Sequence, residues 1–142
     1  MIEYFTKGEY KKEVNKENAL GTGGKLVKEF AKLCGEVWSG ENNTLAPYDF
    51  KRCIEEVAPR FIGYQQQDSA ELMSYLLDGL HEDLNRVRDK PVVPKRECSG
   101  LHLNTAAQLS WDDFQKRNNS FIVDKWFFFF SISFNFYYYL FY

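Results

Sequence analysis

Apolar residues recur at helical spacing in several stretches of the chain, and the longest of these organises the rest. Residues 63–87 read GYQQQDSAELMSYLLDGLHEDLNRV. Leu72, Leu76, Leu80, Leu84 and Val87 fall on one continuous stripe, which predicts an amphipathic helix with one face in a core. Glu82, Asp83, Asn85 and Arg86 lie largely off that stripe, and His81 beside Glu82 is expected to face solvent. Asp68 can cap the helix by accepting from backbone N–H groups. Glu71 stands where a capping box places its reciprocal acceptor. Gly79 is the weak point, costing about 1 kcal/mol relative to Ala in a helix interior.

The same periodicity predicts a helix over Lys25–Trp38, with Leu26, Phe30, Leu33, Cys34, Val37 and Trp38 on its apolar face and Gly40 ending it. A third helix runs from Pro47, which suits a first turn, to Val57, with Phe50, Cys53, Ile54 and Val57 facing inward. Pro59 stops it, and Phe61 and Ile62 form a buried connector into the central stretch. Before these, Ile2, Tyr4, Phe5 and Tyr10 alternate with charges and read as a short helix or turn ending near Asn15. The glycine-rich run NKENALGTGG is a loop. After Val87 the run RDKPVVPKRECSG reads as a linker, its basic residues solvated rather than a binding patch. A last helix is predicted over Thr105–Asn118, with Thr105 and Gln108 in capping-box spacing and Ala107, Trp111 and Phe114 on its apolar face.

Composition narrows the classes. The chain has 142 residues, enough for one domain with a core. A net charge of −2 gives no basic surface for nucleic acid or anionic lipid. Three cysteines, Cys34, Cys53 and Cys98, form no paired spacing and no CxxC, so neither a disulfide framework nor a zinc ribbon is indicated. No metal or other cofactor is called for. The odd set fits a reducing compartment, cytoplasmic or nuclear. The opening MIEYFTKGEYKKE is charged and mixed, unlike a signal peptide. Cys34 on an apolar helix face reads as a small buried hydrophobe.

The segment QQQDSxEL followed by LLDGLHEDLNR resembles the glutamine-aspartate box of the ubiquitin-specific proteases, papain-like cysteine proteases that remove ubiquitin from proteins. The resemblance extends to NALGTGGKLVKEFAKLCGEVWSG, to APYDFKRCIEEVAPRFIGYQQQD and to RNNSFIVD, which in the family leads into the finger subdomain. It implies a mainly α chain over residues 1–124, the helical, thumb-like fragment of a papain-like α+β cysteine protease domain. It also implies ubiquitin or a ubiquitinated protein as partner, with Gln67, Asp68 and Glu71 meeting the arginine-containing C-terminal tail of ubiquitin. Two carboxylates a helical turn apart can accept charge-assisted hydrogen bonds from a guanidinium. The alternative is that Asp68 and Glu71 only cap their own helix; a carboxylate has lone pairs for both.

The family carries its nucleophilic cysteine in a motif placed before the equivalent of Met1 and its histidine box long after the equivalent of Asp124. Neither motif is present, so no catalytic residue is assigned, the piece reads as truncated at both ends, and the chain is expected not to cleave ubiquitin conjugates. Cys98 and His102 lie four apart in a loop, a spacing common by chance. Residues 125–142 carry no motif that resembles the family. From Trp126 onward the run WFFFFSISFNFYYYLFY is uncharged and short for a transmembrane helix. As an exposed strand it would aggregate, and it is best read as translated intron. Two rival readings remain: a non-catalytic helical module binding ubiquitin or another protein, and a membrane protein anchored by the aromatic tail.

Overall fold

A computed structural model describes residues 1–41, 44–94 and 100–125. The aromatic tail from Trp126 and the thiol of Cys98 lie outside the described residues. Among the described residues the fold is mainly α, without a strand. In chain order the described residues form α1 (Ile2–Thr6), α2 (Lys25–Ser39), α3 (Tyr48–Val57), α4 (Ser69–Asp83) and α5 (Leu103–Gln115). Short 3-10 turns occupy Glu9–Lys12 and Pro59–Phe61, and residues 121–125 are helical.

The helix at the centre is α2, which packs against α1, α3 and α4. It begins after Gly24, whose φ of +86° suits glycine, and the Thr22 hydroxyl caps it by accepting from the Leu26 N–H at 2.9 Å. It ends at Gly40, also left-handed. Leu26, Val27 and Ala31 are buried, with Phe30 and Cys34 half-buried against them. Val37 and Trp38, expected on the inner face, are exposed instead. The last turn of α2 runs beyond the neighbours that cover its earlier turns.

Aromatic rings from distant parts of the chain close the core around α2. Phe5, 2% exposed, meets Phe30 edge to face at 4.9 Å between centroids. Tyr4 stacks on Phe121 at 3.7 Å. Such pairs add about 0.5–1.5 kcal/mol beyond the area they bury. The N-terminal segment, a short helix and turn as expected, is therefore core material. From α3, Cys53 and Ile54 are buried, whereas Val57 is exposed. Phe61 of the connector is buried, but Ile62 points to water.

Helix α4 lies on α2 where Gly79 faces Leu26. A β-carbon on Gly79 would come within 2.5 Å of Leu26 Cδ2, and Leu26 is itself only 1% exposed. The glycine that looks like a flaw in helix propensity is what lets the two helices approach.

The apolar stripe of α4 is buried only in its second half. Leu80 and Leu84 are buried and Leu76 and Leu77 half-buried, but Leu72, Met73 and Tyr75 are exposed. The helix also stops at Asp83 rather than continuing to Val87. Helix α5 contributes no buried residue. It starts two residues before Thr105, so Thr105 and Gln108 lie inside it rather than capping it, and Gln108 donates to Asp112 Oδ1 at 2.9 Å. Trp111 and Phe114 stack on each other at 5.3 Å.

Candidate functional site

The residues singled out at the start of α4 form an exposed corner. Residues 62–70 are exposed throughout, and Tyr64 is 96% exposed. The turn leading into it is fixed from below by buried Phe61, whose ring meets Tyr75 edge to face at 5.6 Å. The Gly63 N–H is held by Glu55 Oε1 at 3.2 Å, a carboxylate that also pairs with Lys51. Lys51 and the Gly63 N–H together hold the Glu55 carboxyl below its ordinary value, outweighing desolvation. Lys51 lies over the Tyr64 ring at 5.1 Å, a cation–π contact that steadies the exposed loop.

Asp68 caps α4 as expected: Oδ1 accepts from the Ala70 N–H at 2.7 Å and, more weakly, from the Glu71 N–H at 3.4 Å. Glu71 does not complete a capping box. Its Oε1 accepts instead from the guanidinium of Arg60, on the preceding 3-10 turn. The Arg60 guanidinium also lies 5.7 Å over the Tyr75 ring. Gln67 is exposed beside these groups. The structure thus brings Gln67, Asp68 and Glu71 to one solvent-facing corner and adds Arg60. Sequence spacing offered no sign of Arg60, since it reaches Glu71 across a turn rather than along a helix.

The far end of α4 is the opposite kind of place, for polar residues that lie off its apolar stripe are buried there. Asp83, 0% exposed, accepts through Oδ1 from the Thr22 N–H at 2.6 Å. Through Oδ2 it accepts from the Thr22 hydroxyl at 2.6 Å and the Val27 N–H at 3.2 Å. Its carbonyl accepts from the Asn15 N–H at 2.8 Å. Asn85, also 0% exposed, donates to Arg117 O at 3.1 Å and accepts from the N–H groups of Val87 and Asn119. These bonds turn the chain out of the helix, which is why α4 ends before the stripe does.

His81 is buried, not solvent-facing. The Asn118 amide donates to Phe114 O at 3.1 Å, which turns its oxygen toward the ring. His81 Nε2–H then donates to Asn118 Oδ1 at 3.3 Å, and Nδ1 pairs with the Ser120 hydroxyl at 2.8 Å. Arg86 spans Glu13, Asn119 and Asp124, and Tyr4 donates to the same Glu13 at 2.8 Å. Burial, then the Glu13 carboxylate, push the Tyr4 hydroxyl well above its ordinary value. No side-chain polar atom that is buried goes unpartnered among the described residues.

The described thiols do not meet an imidazole. Both ring nitrogens of His81 are occupied by Ser120 and Asn118, and His102 is exposed at the start of α5. Burial raises the thiol of Cys34, and it raises that of Cys53 against the pull of Lys25. Neither is a poised thiolate. Among the described residues there is no cluster of three or more potential metal ligands. No described helix is long and apolar enough to cross a membrane.

Comparison with known proteins gives the corner a context. The family described as ubiquitin carboxyl-terminal hydrolase matches residues 1–134. Ubiquitin carboxyl-terminal hydrolase 4 of Rattus norvegicus is 44% identical over 124 residues, which is 87% of this chain and 13% of the relative. Ubiquitin carboxyl-terminal hydrolase 15 of Homo sapiens is equally similar over the same share of each chain. The chain therefore spans about an eighth of the length of these curated relatives.

Proposed function

The chain belongs to the ubiquitin carboxyl-terminal hydrolase family, and from that premise we propose that it is helical scaffold from a deubiquitinating cysteine protease, receiving the ubiquitin tail at the start of α4. The observation that carries this reading is the exposed corner: Gln67, Asp68 and Glu71 stand on a helix entrance held from beneath by Phe61 and Glu55. Asp68 spends Oδ1 on the cap and keeps Oδ2 for a partner. A carboxylate at a helix start, next to exposed Tyr64 and Leu72, suits a flexible basic segment with some apolar character. The free thiols Cys34 and Cys53 suit a reducing compartment, cytoplasm or nucleus.

The parent reaction is hydrolysis of the isopeptide bond at the ubiquitin C-terminus by a cysteine thiolate. Residues 1–125 supply recognition and framework to it. The occupied ring of His81 and the raised thiols of Cys34 and Cys53 support the view that this polypeptide alone does not turn over a ubiquitin reporter. Titration of ubiquitin into the chain tests the recognition half. Asp68→Asn keeps a capping oxygen while removing the charge, and Glu71→Gln removes the second charge. Each is expected to weaken ubiquitin about 2- to 5-fold, the range of an exposed charge-assisted contact. Binding unchanged in both variants would remove the corner from the recognition surface.

A further inference from the structure

We infer that Arg60 is an internal competitor for the corner, holding Glu71 in the free protein in the place that an incoming guanidinium would take. This rests on the recognition reading above and concerns how that same site is regulated. Arg60 sits on the Pro59–Phe61 turn, directly before Phe61, whose buried ring anchors the turn. Its guanidinium donates to Glu71 Oε1 and lies over the Tyr75 ring at 5.7 Å. The carboxylate and the ring together fix the group in one orientation, although Arg60 and Glu71 are both solvent-accessible. A basic tail arriving at this corner meets a carboxylate already satisfied by the same chemistry it would itself offer. Binding must break or share that pair, so the intramolecular contact lowers affinity for any arginine-bearing ligand. It also discriminates. A ligand offering one weakly placed cation gains little by displacing Arg60, whereas one that engages Asp68 and Glu71 together recovers what is lost.

The size of the effect follows from the exposure of the pair. Surface ion pairs are worth a free energy equivalent to about 1.5- to 5-fold in an equilibrium constant. The test is a double-mutant cycle read by ubiquitin titration on the chain, Arg60→Gln and Glu71→Gln singly and together. Arg60→Gln is expected to tighten ubiquitin about 2- to 5-fold, and to change nothing once Glu71 is already Gln. Equal tightening in both backgrounds would make the effect long-range charge, not competition, and would overturn the inference while leaving the recognition site intact. Weaker or unchanged binding on Arg60→Gln would overturn it too, by making Arg60 a co-binder or a bystander. Absence of ubiquitin binding in all four proteins would instead bring down the recognition reading itself, and the competitor with it.

Discussion

The first turn of α4 stands in water: Gln67 and Asp68 are exposed, and its ion pair with Arg60 crosses a solvent-accessible surface. The last turn of the same helix disappears into bonds from Asn15, Thr22 and Val27, with Asp83 and Asn85 fully buried. Both ends are rich in carboxylates and amides, so composition does not separate them. What separates them is who supplies the partner. At the first turn the partners are near in sequence, at most eleven residues away. At the last turn they arrive from up to about seventy residues away, as with Asn15 and Asn85. An end held by distant partners is framework. An end held only by its neighbours is free to change partners, which recognition requires.

The sharpest way to break this contrast is Asp83→Ala. It removes the acceptor of the buried Val27 N–H and of the part-buried Thr22 N–H and hydroxyl. The expected loss is about 3–5 kcal/mol by chemical denaturation, and a loss under about 1 kcal/mol would mean that the two ends do not differ. Gly79→Ala comes next. Helix propensity alone predicts a gain of up to about 1 kcal/mol, but the methyl has no room beside Leu26. A net loss of about 1–3 kcal/mol is therefore expected from overpacking, and any increase in the unfolding midpoint would contradict the close approach. At the exposed end, Asp68→Ala removes only a cap and is expected to cost about 1 kcal/mol, while Asp68→Ser restores the stability but not ubiquitin affinity. Recovery of both by serine would show that Asp68 is a cap and nothing more.

The smallest effect is titrated rather than mutated. Burial opposes ionisation of Glu82, but Lys90 at 2.8 Å and the Asn18 amide at 2.6 Å outweigh it and hold the carboxyl below its ordinary value. A carboxyl depressed in the folded state stabilises above the unfolded value of about 4.5 and loses that contribution as pH falls through the folded one. Stability should therefore fall on acidification below about pH 4.5. Glu82→Gln should flatten part of that decline, by about 0.5–1 kcal/mol, and an acid limb identical in both proteins would remove Glu82 from it.

Helix boundaries were legible wherever glycine, proline or a capping side chain punctuates the pattern. The span of α2 agrees with its periodicity to one residue because Gly24 and Gly40 take left-handed conformations that end it cleanly. Helix α3 likewise begins directly after Pro47, one residue later than the periodicity predicts, and ends before Pro59. Asp68 marked the start of α4 correctly. Its end was not legible, because Leu84 and Val87 continue the apolar rhythm while Asn85 breaks the helix through bonds to Arg117 and Asn119. Periodicity measures how often a side chain recurs, not what reaches it from elsewhere. His81 was misread for the same reason: Asn118 and Ser120, which bury it, lie nearly forty residues on. At the corner, motif resemblance picked out Gln67, Asp68 and Glu71, which lie at the start of α4, but it could not see that Arg60 closes on Glu71.

The seat of Leu26 on Gly79 works as a key in a shaft. It blocks α4 from spinning about its own axis or sliding along α2, and Glu71 lies about 12 Å further along that axis. The compass bearing of the corner is thereby set by a joint it never touches. Side chains on the rim can be exchanged to retune what docks there without the platform turning beneath them.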